Sequence, residues 1–104
     1  MDLDPQKLTE KEKEVYERLK EVRDPEFGFS ITEAGMIDEV KVEGKVARIA
    51  YHLTAPFCPP IFALHIGRQI KRMAKEVQGI EEVHVTVRNH FQSEEINEAL
   101  SKMP

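Results

Sequence analysis

VARIAYHLTAPFCPPIFALHIGRQI, residues 46–70, changes hydrophobic period midway, and that change decides the fold. From Val46 to Leu53 apolar and polar residues alternate, so Ile49, Tyr51 and Leu53 lie on one face of a strand and Arg48, His52 and Thr54 on the other. After Pro59 and Pro60 the spacing becomes helical, with Phe62, Ile66, Ile70, Met73 and Val77 on one side and Arg68, Lys71, Arg72 and Lys75 filling the other face and the last turns. Gly79 suits the position just past the end of that helix. Between strand and helix sits TAPFCPP, 54–60, with the only cysteine of the chain.

Upstream, Met36 to Val42 alternates in the same way, and Glu43-Gly44 offers a two-residue turn, so the two strands form an antiparallel hairpin. Before them, Thr9 and Glu12 make a capping box for a helix from Glu10 to Val22, with Val15, Tyr16, Leu19 and Val22 on its apolar side. The following RDPEFGFS must be a loop, because Asp24 precedes a proline and is pushed out of helical geometry. Downstream, EEVHVTVRNH reads as a third strand with Val83, Val85 and Val87 inward, and Ser93 caps a short last helix carrying Ile96 and Leu100. The order α-β-β-α-β-α predicts an α+β fold, a two-layer domain with a small mixed three-stranded sheet and helices packed on it. Residues 1–104 suffice for a single domain and are too few for two of usual size.

Hydrophobic residues are 40% and charged residues 33%, a globular balance with no apolar run of membrane-spanning length. The opening MDLDPQKLTEKEKE lacks the basic-then-apolar order of a secretory signal, so a cytoplasmic location is expected. The net charge of −4 disfavours nucleic acid. One cysteine forms no internal disulfide and supplies no Cys-only metal site within a chain. Walker-type phosphate loops, Gly-rich dinucleotide turns and GxSxG elbows are absent from the sequence.

Cys58 stands just before a helix whose first turn holds prolines, where free N–H groups and the positive dipole end favour a thiolate, both nucleophile and soft metal ligand. The competing reading is a small buried hydrophobe. Asp24 and Glu26 bracket Pro25 at the C-terminal end of a helix, a poor place for carboxylates on dipole grounds. Turn chemistry is the plainer explanation for such residues. His52, His65, His84 and His90 show no metal-ligand spacing and read as surface or structural residues, although His52 shares the strand end that leads to Cys58. A Cys58–His52 nucleophilic pair is the corresponding enzyme hypothesis.

DPE at 24–26, the glycine of ITEAGMIDEV, LTAPFCP at 53–59 and GIEEVHVTV at 79–87 together resemble the iron–sulfur cluster assembly domain family that includes SufT-like and PaaD-like proteins. The resemblance runs from Tyr16 to Val87. It implies a non-catalytic accessory factor in metal–sulfur cluster biosynthesis, acting on iron–sulfur client or carrier proteins. By the same resemblance Cys58 handles cluster or partner, Asp24, Glu26 and Thr54 share its site, and Pro25, Gly35, Pro56 and Pro59 shape the loops. Ala34 stands where the family has leucine, and the cysteine-rich tail of PaaD-like members is missing, which favours general assembly over phenylacetate metabolism. Clusters are usually held by four thiolates. The expectation is therefore no stable cluster in a monomer, and a transient one or one shared across a homodimer, with Cys58 as the metal ligand. KH-like RNA modules share part of this element order, but their GXXG loop is absent.

Overall fold

The computed structural model describes residues 5–25, 28–53 and 59–102. After a single 3-10 turn, Pro5–Lys7, come α1 (Glu10–Leu19), β1 (Ile37–Glu43), β2 (Val46–His52), α2 (Pro60–Lys75), β3 (Glu82–Arg88) and α3 (Ser93–Ser101). The fold is α+β, with the element order expected from the sequence. The sheet order is β1-β2-β3, with β2 antiparallel to β1 and parallel to β3.

Strand alternation sorts the sheet into two faces. Val42, Ala47 and Val83 stand abreast, as do Val40, Ile49 and Val85, and these rows with Tyr51 and Val87 face the helices. Lys41, Arg48 and His84 form an exposed row on the other face. Against the apolar face α1 brings Val15 and Leu19, α2 brings Ala63, Ile66, Gly67, Ile70 and Ala74, and α3 brings Ile96 and Leu100. Each large aliphatic residue so buried contributes roughly 1.5–3 kcal/mol before entropy is counted, and this layer holds the domain together.

On each edge strand a side chain bonds the backbone of one residue. The carboxylate of Glu12 accepts from the N–H of Thr9 through Oε1 and from that of Val42 in β1 through Oε2, both at 3.0 Å. Burial opposes ionisation of Glu12, but these hydrogen bonds, the Thr9 hydroxyl and the charge of Lys41 prevail and lower its pKa. On β3 the Asn97 amide imitates a neighbouring strand: its Oδ1 accepts from the N–H of Val87 at 2.8 Å and its Nδ2 donates to the Val87 carbonyl at 3.2 Å. Open edges would otherwise template pairing with another chain.

β1 lies one residue later than expected and β2 ends one residue earlier, and four other boundaries depart from the sequence expectations for identifiable reasons. The first helix stops at Leu19, because bonds from Lys20, Glu21 and Val22 reach back three residues instead of four; Val22 stays buried on that tightened turn. The second helix ends at Lys75 by the same tightening at Glu76 and Val77, and Gly79 lies in the turn into β3. The hairpin turn is Gly44-Lys45 instead of Glu43-Gly44, because Glu43 pairs with Val46. Gly44 has φ +60° in the first turn position, where the primed hairpin turns require a left-handed residue. Ser93 is the first residue of α3 and not its cap; Gln92 occupies the cap position without a side-chain bond.

Candidate functional site

Parallel pairing of β2 with β3 sends both strands out of the same end of the sheet, where His52 stands beside Arg88. The chain leaving β2 enters α2, and the chain leaving β3 enters α3, so both helices start at this end. In α/β sheets this is where ligands usually bind.

The loop after α1 comes to the same end through consecutive backbone bonds. Ile31 N–H donates to the Val22 carbonyl at 3.0 Å, Met36 N–H to Ile31 at 3.0 Å, and His52 N–H to Met36 at 2.9 Å. Within that loop Asp24 is buried, 9% exposed, its N–H bonded to the Phe29 carbonyl and its carbonyl accepting from Gly28 N–H. Pro25 is exposed. Gly35 holds φ +71° just before β1, a conformation that L side chains resist. Glu26, Thr54, Pro56 and Cys58 lie outside the described residues, whereas Pro59 is the cap residue of α2 and Pro60 its first residue.

Both flanks of the 54–58 segment are anchored. The Tyr51 hydroxyl, fully buried, donates to the Ala63 carbonyl in the first turn of α2 at 2.5 Å. Burial raises the pKa of this hydroxyl far above the ordinary tyrosine value, against a weaker opposing effect of the Gly67 backbone. Gly67 allows the close approach of helix to strand: a Cβ there would stand 2.7 Å from the Tyr51 hydroxyl oxygen and 2.7 Å from a methyl of Leu100.

An open cleft of about 580 Å³ occupies the strand ends, lined by His52, Leu53, Asn89, His90 and Ser93. His52 is oriented by Asp38, whose carboxylate lies 2.8 Å from Nδ1. An ionised carboxylate only accepts, so Nδ1 is the donor in this contact. Asp38 owes its position to a β-bulge between Ile37 and Glu39, a device that re-aims a side chain. His90 is 6% exposed, stacks on Phe91 with centroids 4.9 Å apart, and accepts the Gln92 N–H on Nδ1 at 3.0 Å. It thus serves the start of α3 as an acceptor where Gln92 provides none. Asn89 turns the chain out of β3 with φ +55°, a left-handed conformation that asparagine tolerates better than most residues.

Asn89, His90 and Ser93 were not identifiable from sequence as lining this cleft, nor Asp38 as the partner of His52. The bulge that aims Asp38 and the parallel pairing that brings 89–93 beside 52–53 are both long-range features. Among the described residues, no three His, Cys, Asp or Glu side chains converge as a metal site. Ile61, 69% exposed, and Phe91, 65% exposed, are the large apolar residues displayed to solvent among the described ones, and they open α2 and precede α3 respectively. No described helix is long and apolar enough to cross a membrane.

This architecture, a three-stranded mixed sheet under helices, is also that of known proteins. The family model described as "Iron-sulfur cluster assembly protein" matches residues 12–87. The chain belongs to that family. It is 34% identical over 91 residues to the uncharacterized protein MJ1129 of Methanocaldococcus jannaschii, covering 86% of this chain and 93% of that one. A crystal structure of a domain of unknown function, DUF59, from Bacillus anthracis superposes with TM-score 0.68 at 27% identity, over 89% of this chain and 93% of that one. The solution structure of Rv1466 from Mycobacterium tuberculosis, described as associated with Fe-S complex assembly and repair, gives TM-score 0.51 at 18% identity, over 100% of this chain and 98% of that one. At that identity the likeness concerns the fold.

Proposed function

We propose that this protein is a non-catalytic accessory factor that assembles iron–sulfur clusters or delivers them to client proteins in the cytoplasm, with residues 1–104 acting as one domain. Family membership over residues 12–87 is the observation that carries this reading. Cys58 is the metal ligand and the partner-contact residue, with Asp24, Glu26 and Thr54 beside it and Pro25, Gly35, Pro56 and Pro59 shaping the loops. The cluster is cargo. One thiolate per chain falls short of the usual four, so ligation is transient, shared between two copies of the chain, or completed by a client or carrier. The convergence of the acidic loop, the end of β2 and the start of α2 at one end of the sheet supports a common site. Ile61 and Phe91, exposed at that same end, suit contact with a partner protein.

Anaerobic incubation with ferrous iron and sulfide tests the ligand role. Loading of at most about one cluster per two chains, with visible absorption that disappears in Cys58→Ser, is expected. Equal loading of Cys58→Ser would remove the metal role.

The Asp38–His52 pair favours a second reading, a thiol enzyme in which Cys58 is the nucleophile and His52 Nε2 its base. That reading requires a depressed thiol pKa in an alkylation profile and turnover of a small substrate; an ordinary thiol value of about 8.5 would sink it.

A further inference from the structure

The solvent side of α2 carries a charge pattern found in neither of the other helices. Ile61, His65, Arg68, Arg72 and Lys75 follow one another by four, three, four and three residues and are all exposed, so they form a single stripe about 21 Å long. Arg68, Arg72 and Lys75 have no ion pair or hydrogen bond among the described residues, and α2 contains no acidic residue. This stands in a chain whose net charge is −4.

Favourable interaction with the C-terminal end of the helix dipole accounts for Arg72 and Lys75 in the last turn. It does not account for Arg68, in mid-helix and one turn from Arg72, a like-charge spacing that destabilises a helix by roughly 0.2–0.5 kcal/mol. The self-repulsion is uncompensated within the described chain, and an acidic surface laid along the stripe would relieve it. Only Ile61 offers apolar insertion on this stripe, too little for a membrane surface. Three cations on an acidic protein also give weak counterion release from a nucleic acid.

We propose that this stripe is a docking surface for an acidic helical segment of a partner protein, one with Asp or Glu spaced alternately three and four residues apart. Calling that partner a cluster client or carrier rests on the proposed function; the surface itself does not. Ile61 begins the stripe at the same end of α2 as the cleft, so a segment lying along it runs towards the candidate site.

A fluorescein-labelled, alanine-based helical peptide with glutamates at that spacing is the probe, with anisotropy measured on the full chain. Binding should weaken as salt rises to physiological strength, where the Debye length is about 8 Å. It should weaken roughly tenfold in Arg68→Glu/Arg72→Glu and by a smaller factor in Arg68→Gln/Arg72→Gln. Lys41→Glu/Lys45→Glu, an equal charge change on β1 and its hairpin turn, should bind as the parent does. Equal loss in that control would reduce the effect to net charge and overturn the proposal. Tighter binding of duplex DNA or phosphatidylserine vesicles, or a dimer dissolved by salt and abolished by the α2 substitutions, would also overturn it. The stripe variants should still load iron through Cys58. Failure of Cys58-dependent loading with peptide binding intact would overturn the cluster role and leave the docking surface standing.

Discussion

The two longer helices use their polar residues in opposite ways. In α1 charges of both signs are interleaved and paired along the helix, Lys11 with Glu14, Arg18 with Glu21 and Lys20 with Glu17, while Arg18 also reaches Glu76. Its capping box serves a second purpose, because Glu12 also accepts the Val42 N–H of the edge strand β1. The polar residues of α1 are engaged within the chain. The start of α2 has no side-chain cap, and its helix is fixed by the apolar inner face and the Tyr51–Ala63 bond. A helix secured from inside leaves its outer face and its first turn available for contacts with other molecules.

Gly67→Ala tests the inner side of this contrast and should have the largest effect. Alanine favours a helix interior by about 1 kcal/mol over glycine, yet its methyl group would meet Tyr51 and Leu100 at 2.7 Å. Overpacking of this kind costs about 1–3 kcal/mol, so urea denaturation should show a net loss. A gain in stability would mean that the helix does not approach the strand so closely.

Tyr51→Phe removes the hydroxyl that ties β2 to α2 and should cost about 1 kcal/mol at neutral pH. The parent should also lose stability as pH rises past the ordinary tyrosine pKa of about 10, because the unfolded chain ionises there while the folded hydroxyl keeps its proton. Thermal melts of Tyr51→Phe should lack this part of the alkaline decline; an unchanged slope would assign it to other groups.

In α1 the comparable test is Glu12→Gln, expected to cost about 1 kcal/mol through the cap and the strand edge. The lowered pKa of Glu12 makes its contribution complete above the unfolded carboxylate value and lost as pH falls through the folded one. Parent and variant should therefore converge in stability at acid pH. A gap that persists undiminished in acid would show that ionisation of Glu12 is not the cause.

The smallest effects lie on the outer faces and should differ in sign. Glu14→Gln in α1 loses an ion pair and should cost a few tenths of a kcal/mol, whereas Arg68→Gln in α2 relieves repulsion and should gain a similar amount. Equal and opposite shifts in melting temperature would confirm the contrast; a loss in both would contradict it.

What the sequence revealed follows the same division. Element order, the inner face of each strand and the apolar side of each helix were legible, because Val83, Val85 and Val87, or Ile66 and Ile70, express local periodicity. Helix ends were less so, since the tightened turns at Lys20–Val22 and Glu76–Val77 break the period that marks a helix. The cleft was only partly visible. His52 could be placed at the strand end, but its partner Asp38 depends on a bulge, and Asn89 and His90 approach through pairing of strands whose partners, such as His52 and Arg88, are far apart in sequence. Cys58 was singled out by its sequence setting and by family resemblance, and its role rests on them.

Cluster transfer tests the proposed role of that thiol most directly. Protein reconstituted with iron and sulfide is mixed with an apo-ferredoxin in the presence of an iron chelator, and the recovery of ferredoxin absorption is followed. The parent chain should restore it, and Cys58→Ser, folded to the same melting temperature, should do no better than free iron and sulfide. Restoration by Cys58→Ser at the parent rate would contradict the central claim that this protein handles clusters through Cys58.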